Sequence, residues 1–326
     1  LKSTIEKVSV ACNNCGSASA TVVATGRDRE YDTTPESFSV VQCAACGLRY
    51  LNPRPDTSEL ETIYPPTYHA YHARGTRTRP GLVTRLRHRL YARRLRRPLR
   101  YAGGGPIRIL DVGCGDGWML DLYRLAAGGR AVTCGIDFNE RACEITRAAG
   151  HRALCARFEA IELDEQFDLV NMSHVIEHLA DPRRVLEKIR DLLRPAGVLV
   201  VETPNTDTLD WRWFRDGAWG AYHIPRHWTF YDPVSIRRVG DSTGLTLREI
   251  VFHPAPVHWV WTLHNVSLMR SGVLAGLGRR VFAPLGVFES GPKAFGLLGV
   301  FTALDAVLIA ATGRSSNMMA IFQRRN

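Results

Sequence analysis

Residues 107–117 read Ile-Arg-Ile-Leu-Asp-Val-Gly-Cys-Gly-Asp-Gly. A short apolar run of this kind suits a strand buried on both faces of a parallel sheet. It meets an acid at Asp111, after which Gly113, Gly115 and Gly117 alternate with small or polar residues. Glycines at that point let the backbone turn sharply beneath a ligand. The spacing is Gly-x-Gly-x-Gly, not the Gly-x-Gly-x-x-Gly of a pyrophosphate-binding turn. Such a strand-to-helix turn is a weak signal alone, so its meaning depends on the residues around it.

Those residues alternate between two periodicities. Trp118 to Ala127 reads as a helix, and Ala131 to Ile136 as a strand ending at Asp137, 26 residues beyond Asp111. A doubly wound sheet places a carboxylate near there to hold a ribose diol, because its two oxygens accept from both hydroxyls. Glu140 to Gly150 is the next helix, with Gly150 as its stop. Residues 152–156 form a third strand, and Phe167 to Met172 a fourth, leading into Ser173-His174-Val175-Ile176-Glu177-His178. A helix follows from Asp181-Pro182, proline being suited to a first turn. After the turn Pro195-Ala196-Gly197, Val198 to Glu202 makes a fifth strand. This rhythm predicts a mostly parallel sheet covered by helices on both faces. Thr246 to Phe252 and Asn317 to Gln323 add two further strand-like runs.

Residues 107–205 closely resemble class I S-adenosylmethionine (SAM)-dependent methyltransferases, and the resemblance continues more loosely to about residue 252. It implies an α/β fold with a Rossmann-like sheet whose last, antiparallel strand is Asn317 to Gln323. It also implies SAM contacts from Asp111, Gly113, Gly115, Asp137, Phe138, Ser173 and His174. Phe158 would wall the adenine pocket; Arg157 stands where the family usually carries an acid. Tyr68 and Tyr71 fall where relatives have a lid over the methionine moiety, or else pack between two units. A Rossmann-like domain carrying another nucleotide is the competing reading.

Five segments follow: 1–55, a zinc-ribbon module; 56–105, a basic helical linker or lid; 106–253, the SAM-binding core; 254–316, an apolar helical insertion; and 317–326, the last core strand. In the first, Cys12, Cys15, Cys43 and Cys46 form two Cys-x-x-Cys pairs, each followed by a glycine. Two such knuckles close a Cys₄ site for structural zinc, with no open position for substrate. Two disulfides are the alternative, disfavoured because the scattered Cys114, Cys134, Cys143 and Cys155 suit a reducing cytoplasm. In the second, residues 73–100 hold eleven arginines and no acid, against a net charge of +10 for the chain. Leu82, Leu86 and Leu90 predict an amphipathic helix able to meet RNA, anionic lipid or a phosphorylated substrate. A solvated helix in an arginine-biased sequence, 38 of 42 basic residues, is the plainer reading. In the insertion, Gly296 to Gly313 carries one charge, Asp305. That is marginal for a membrane span, with the acid near its middle. A substrate lid, a homodimer contact or an interfacial surface suits it better.

Methyl transfer is an in-line displacement, so the enzyme positions the nucleophile and takes its proton. Candidates lie after the fourth and fifth strands: His174-x-x-Glu177-His178, then Thr203-Pro204-Asn205 and Tyr222-His223-Ile224-Pro225-Arg226-His227-Trp228. These segments are similar to metal-assisted O-methyltransferases of small RNA and the ubiquinone pathway, which carry Glu-x-x-Glu-His. That similarity implies a catalytic divalent metal on Glu177, His178 and His227, although His174 replaces the first glutamate. Without metal, His178, His223 or His227 is a candidate general base.

The N-terminal cysteines resemble those of deoxysugar C-methyltransferases, whose second Rossmann-like domain has no counterpart here. The expected function is therefore methyl transfer to an oxygen, or secondarily a carbon, of a small sugar-like or natural-product acceptor. The alternatives are a zinc-ribbon RNA methyltransferase, with the arginine run on phosphates, and a non-catalytic SAM-binding module. A cytoplasmic location follows from the cysteines, with nucleic acid or an anionic membrane surface as less favoured partners.

Overall fold

The computed structural model describes residues 4–66, 68, 82–103, 105–283 and 291–325. Tyr71 and the first part of the arginine run lie outside the described residues.

The N-terminal strands are β1 (Lys7–Val8), β2 (Ala20–Arg27), β3 (Ser37–Cys43), β4 (Arg49–Leu51) and β5 (Arg54–Pro55). Of these, β2, β3 and β4 form an antiparallel meander, and β1 pairs with β5. Helices α1 (Leu60–Ile63) and α2 (Leu82–Leu99) lead to the main sheet.

That sheet begins at β6 (Ile107–Val112), whose residues alternate with α3 (Trp118–Ala126), β7 (Ala131–Asp137), α4 (Glu140–Ala148), β8 (Arg152–Cys155), β9 (Phe167–Ser173), α5 (Pro182–Leu192) and β10 (Leu193–Pro204). Local chemistry sets the helix starts. The Asn139 side chain accepts from Ala142 N at 3.0 Å to cap α4. Asp181 caps α5, with Pro182 in its first turn, where a missing N–H costs nothing. Next come α6 (Leu209–Phe214), β11 (Thr229–Phe230), α7 (Pro233–Ser242), β12 (Leu245–Phe252), α8 (Pro256–Leu268), α9 (Val273–Val281), α10 (Pro292–Thr312) and β13 (Asn317–Arg324).

The seven strands lie in the order β12-β13-β10-β9-β6-β7-β8. The five from β8 to β10 run parallel, and β13 runs antiparallel between β10 and β12. This is the expected α/β sheet with its reversed last strand. The chain leaves β6 toward β7 on one side and returns to β9 on the other. The crevice at the carboxyl ends of β6 and β9 is therefore the switch point where such sheets take ligands. Ile109, Leu169, Leu199 and Ile321 are fully buried, as the continuous apolar runs require.

Two features tie the N-terminal unit to this core. Strand β11, from residues far down the chain, pairs with β4 and completes the first sheet. Arg226 donates to Asp28 at 2.7 Å, both side chains fully buried, and its guanidinium covers the Tyr31 ring at 4.4 Å.

Helix α2 differs from its expected face. Leu90 is exposed, while Ala92, Leu95 and Leu99 are buried against Ile107, Leu122 and Tyr123. The packed stripe is the one that meets α3, and Leu90 lies off it. In the insertion, Asp305 is buried. It accepts from Ala255 N at 2.7 Å and Trp259 Nε1 at 2.8 Å, so this acid pins α10 to the head of α8.

Candidate active site

The turn after β6 has two distinct glycines. Gly113 has φ +72°, and a Cβ there would come within 2.6 Å of Val175 Cγ2; this residue is needed for close packing. Gly115 has φ +51° and open space on its Cβ side, so its backbone faces a cradle. Its N–H donates to Asp137 Oδ2 at 2.9 Å, and Asn139 N donates to Oδ1 at 2.9 Å. Each carboxylate oxygen keeps a further lone pair for a diol. Burial raises the Asp137 pKa despite those donors. Asp111 is buried deeper, where desolvation pushes it up to about 7 against the Asn171 hydrogen bond. Its Oδ2 has no hydrogen-bond partner among the described residues.

A cavity of about 350 Å³ opens beside this turn. Asp111, Gly113 and Gly115 form one wall, Ser173 and His174 the floor side, and Tyr91 and Arg94 of α2 another edge. Glu202, His253, Asn317, the head of α8 from Pro256 to His258, and Leu298 of α10 close the rest.

Within that far wall, His253 Nε2 lies 2.6 Å from Glu202 Oε1. Asn317 Nδ2 also lies 2.8 Å from Nε2, but it donates to the same carboxylate. A carboxylate can only accept, so the shorter contact assigns the proton to Nε2 and the lone pair to Nδ1. His253 Nδ1 is buried with no partner among the described residues. Asn317 Nδ2 donates to the same Oε1 at 2.8 Å, and Ser173 Oγ donates to Oε2 at 3.3 Å. Burial alone would raise the Glu202 pKa; the adjacent His253 holds the carboxyl well below its usual range. His258 shares a hydrogen bond with Ser316 Oγ at 3.1 Å, and burial pushes its imidazole down to about 3. Neither histidine nor Glu202 stands out in the sequence. Their only signal is position: Glu202 ends the apolar run of β10, and His253 directly follows β12.

The expected catalytic residues gather elsewhere. Ligand atoms of Glu177, His178 and His227 lie within 4.8 Å of one another. His227 Nδ1 is 3.1 Å from Ala221 O and His178 Nδ1 is 3.2 Å from Arg226 O. Because a carbonyl only accepts, His227 holds its proton on Nδ1, leaving Nε2 as a donor atom. His178 Nδ1 also meets the Tyr64 hydroxyl at 2.8 Å, and with its proton on Nδ1 toward Arg226 O it would likewise present Nε2. Glu177 Oε2 accepts from Thr203 Oγ1 at 3.1 Å, and its Oε1 is 4.0 Å from His227 Nε2. One carboxylate and two imidazole nitrogens form a donor set suited to a divalent transition metal. His223 joins edgewise to His227 at 5.0 Å between ring centres, and is hydrogen-bonded to Glu30.

Glu177, His178, His223 and His227 do not line the cavity. His174 connects the two groups, lining the cavity while its Nδ1 sits 3.1 Å from Glu177 Oε1. Tyr68 is not over the glycine turn. It is buried with Tyr64 at 4.8 Å and Tyr31 at 5.7 Å, the packing alternative for this residue. Phe158 is buried in the core, with Lys188 Nζ over its ring at 5.2 Å, and is not among the residues lining the cavity. Phe138 is exposed beside Asp137.

The four N-terminal cysteines converge, all Sγ atoms lying within 4.8 Å of one another. Gly16 N donates to Cys12 O at 2.8 Å and Gly47 N to Cys43 O at 2.9 Å, folding each pair into a tight knuckle. Sulfur separations of 3.4 Å for Cys12–Cys46 and 3.6 Å for Cys15–Cys43 far exceed the ~2.0 Å of a disulfide. They approach the about 3.8 Å edge of a thiolate tetrahedron around zinc.

Comparison with known proteins agrees with this geometry. A family model described as a methyltransferase domain matches residues 79–250, just over half of the chain. The ubiquinone biosynthesis O-methyltransferase of Aeromonas salmonicida is 29% identical over 164 residues, covering 46% of this chain and 68% of that protein. Its counterpart in Cereibacter sphaeroides is 29% identical over 223 residues, covering 58% and 80%. That of Rhodopseudomonas palustris is 30% identical over 171 residues, covering 47% and 65%.

Proposed function

The chain belongs to the methyltransferase domain family and is a SAM-dependent enzyme, and from that premise we propose that it methylates an oxygen of a small hydroxylated acceptor held in the cavity beside the glycine turn. The observation that carries this reading is His253 in the cavity lining, its ring backed by Glu202 and its buried Nδ1 without a partner among the described residues.

When bound, SAM supplies an electrophilic methyl carbon on a sulfonium. The residues fit such a cofactor. Gly115 leaves room for it, Asp137 offers acceptors to its ribose, and the orphaned Asp111 Oδ2 offers one to its ammonium group. Arg94, at the cavity edge, is placed for a carboxylate. His253 Nδ1 accepts the proton from the acceptor hydroxyl. Glu202 holds that ring in the tautomer with Nδ1 bare and stabilises the imidazolium that forms. Leu298, Val257 and Met319 provide apolar walls that exclude water.

A metal-assisted variant is favoured by one specific observation, the Glu177–His178–His227 donor set with both imidazoles oriented by backbone carbonyls. Those three would hold a divalent ion, whose chemistry is to acidify a ligated hydroxyl. Cys12, Cys15, Cys43 and Cys46 would hold zinc that fastens the N-terminal sheet. The named relatives act in ubiquinone biosynthesis, which is consistent with oxygen as the nucleophile.

The test is a screen of phenolic and sugar hydroxyl acceptors with methyl-labelled SAM, read by mass spectrometry. An O-methyl product, with turnover lost in His253→Gln while SAM still binds, is the expected result. Methylation confined to nitrogen or carbon, or unchanged turnover in the variant, would overturn the reading.

A further inference from the structure

Helix α10 is apolar on every side, with a mean hydropathy of 2.1, yet only 17% of its apolar stretch is buried. A helix apolar all round ordinarily lies inside a core or in lipid. Here a single stripe is covered: Ala294 and Phe301 are buried, and Phe301 stacks on Trp259 of α8 at 6.1 Å. Leu297 and Leu308 are partly covered, and the opposite face points outward, including Phe295 at 57%, Val300 at 64% and Val307 at 65% exposure. Helix α9 extends the same surface with Val273 at 89% and Leu274 at 84% exposure, and Leu277 also outward.

Among the described residues of α8, α9 and α10 and the link between α8 and α9, the exposed charges have one sign. Arg270, Arg279, Arg280 and Lys293 are all exposed. They meet at one end of the three-helix unit: Arg279 donates to Ser267 O at 3.0 Å, and Lys293 to Arg280 O at 2.6 Å. Among the described residues of α8, α9 and α10 the one acid is Asp305, which is buried under Trp259 and the α8 head. A second copy apposed through the described residues of the same three helices would bring the same cations and, among those residues, no exposed acid to meet them. An anionic lipid surface offers both an apolar phase and the opposite charge. Spanning is excluded by the packing, since Asp305 and the buried stripe of α10 hold the helix against α8.

We propose that α9 and the outward face of α10 dock this protein in the plane of an anionic membrane surface, the apolar residues entering the headgroup boundary and the basic cluster pairing with lipid phosphates. The inference does not depend on the reading of the acceptor. The inner side of the same unit lines the methyl-transfer cavity through His258 and Leu298, so the docked face and the cavity share one wall.

The test is flotation of the full-length chain with phosphatidylcholine vesicles, with and without phosphatidylglycerol. Wild type should float with the anionic vesicles and much less with the neutral ones. The pair Leu274→Asp and Val300→Asp, both exposed, should lower partitioning about tenfold or more with the melting temperature unchanged. Arg279→Glu with Arg280→Glu should abolish the preference for anionic lipid, at about fivefold per charge. Failure to float with either vesicle, or wild-type partitioning by the aspartate pair, would overturn the proposal. So would a stable dimer in vesicle-free solution that the aspartate pair converts to monomer.

Discussion

Glu202 and His253 stand 2.6 Å apart at the carboxyl end of the sheet, brought together by strands β10 and β12 across the intervening β13. The carboxylate fixes the imidazole tautomer and leaves the other ring nitrogen buried without a partner among the described residues, in a residue that lines the cavity. A hydrogen-bonded carboxylate–histidine pair beside a cofactor turn has one economical use, the acceptance of a proton from a bound hydroxyl.

The dyad predicts separable effects. Removing the base with His253→Gln should lower kcat by about 10²–10⁴-fold, with SAM affinity retained by calorimetry. Glu202→Gln should lower kcat less and move the acid limb of the pH–rate profile, since Glu202 acts through the ring. A profile unmoved by Glu202→Gln would assign that residue to structure alone.

The protein should also be acid-labile for identifiable reasons. Asp28 is pulled below its ordinary 3.8: burial opposes ionisation, but the Arg226 guanidinium more than offsets it. Glu202 lies below its ordinary 4.5 through His253. Groups depressed in the folded state contribute stability above their unfolded pKa and lose it as pH falls. His258 adds in the same direction, because it stays neutral to about 3 when folded but protonates near 6.5 when unfolded. Asp111, which burial holds up to about 7, works in the opposite direction over the same window. In an Asp111→Asn background the melting temperature should therefore fall on acidification from about pH 6.5 to 3, and a flat profile in both Asp111→Asn and Asp111→Asn with His258→Gln would refute the His258 assignment.

Breaking the buried Asp28–Arg226 pair leaves a charge without its partner. Asp28→Asn should cost about 3–5 kcal/mol, measured by chemical denaturation. A cost under about 1 kcal/mol, typical of exposed pairs, would mean that the N-terminal sheet and the core are held together by other contacts.

Metal content separates the two candidate centres. Cys43→Ser should remove zinc and lower the melting temperature of the N-terminal unit. Glu177→Gln with His227→Gln should remove only a second, weaker equivalent. A chain carrying no metal after expression in zinc-replete medium would contradict the first assignment. Full activity in chelator with zinc retained would contradict the second.

Much of the fold was legible because it is written locally. The run from Ile107 to Gly117, the helix start at Asp181-Pro182, and the acid at Asp137 each declare themselves within a few residues. What escaped is nonlocal. Strand β11 has only two residues, and pairs with β4 because the loop containing Trp228 crosses back over the N-terminal sheet. In α2 the stripe that meets the core is Ala92–Leu95–Leu99, with Leu90 outside it, because contact with α3 and not the leucine spacing selects the face. The histidine-rich segments were visible, and they do converge, but beside the cavity wall rather than within it. His253 and Glu202 are 51 residues apart, so no local spacing marks them as a pair.

The central claim is that SAM lies across the sheet mouth, cradled at Gly115 and held through its ribose by Asp137. Isothermal titration of SAM into wild type and into Asp137→Ala, with thermal melting as the fold control, tests it most directly. The account predicts saturable binding by wild type and a loss of at least about tenfold, roughly one charge-assisted hydrogen bond, in a variant that still melts cooperatively. No binding by wild type, or equal affinity in the variant, would contradict it.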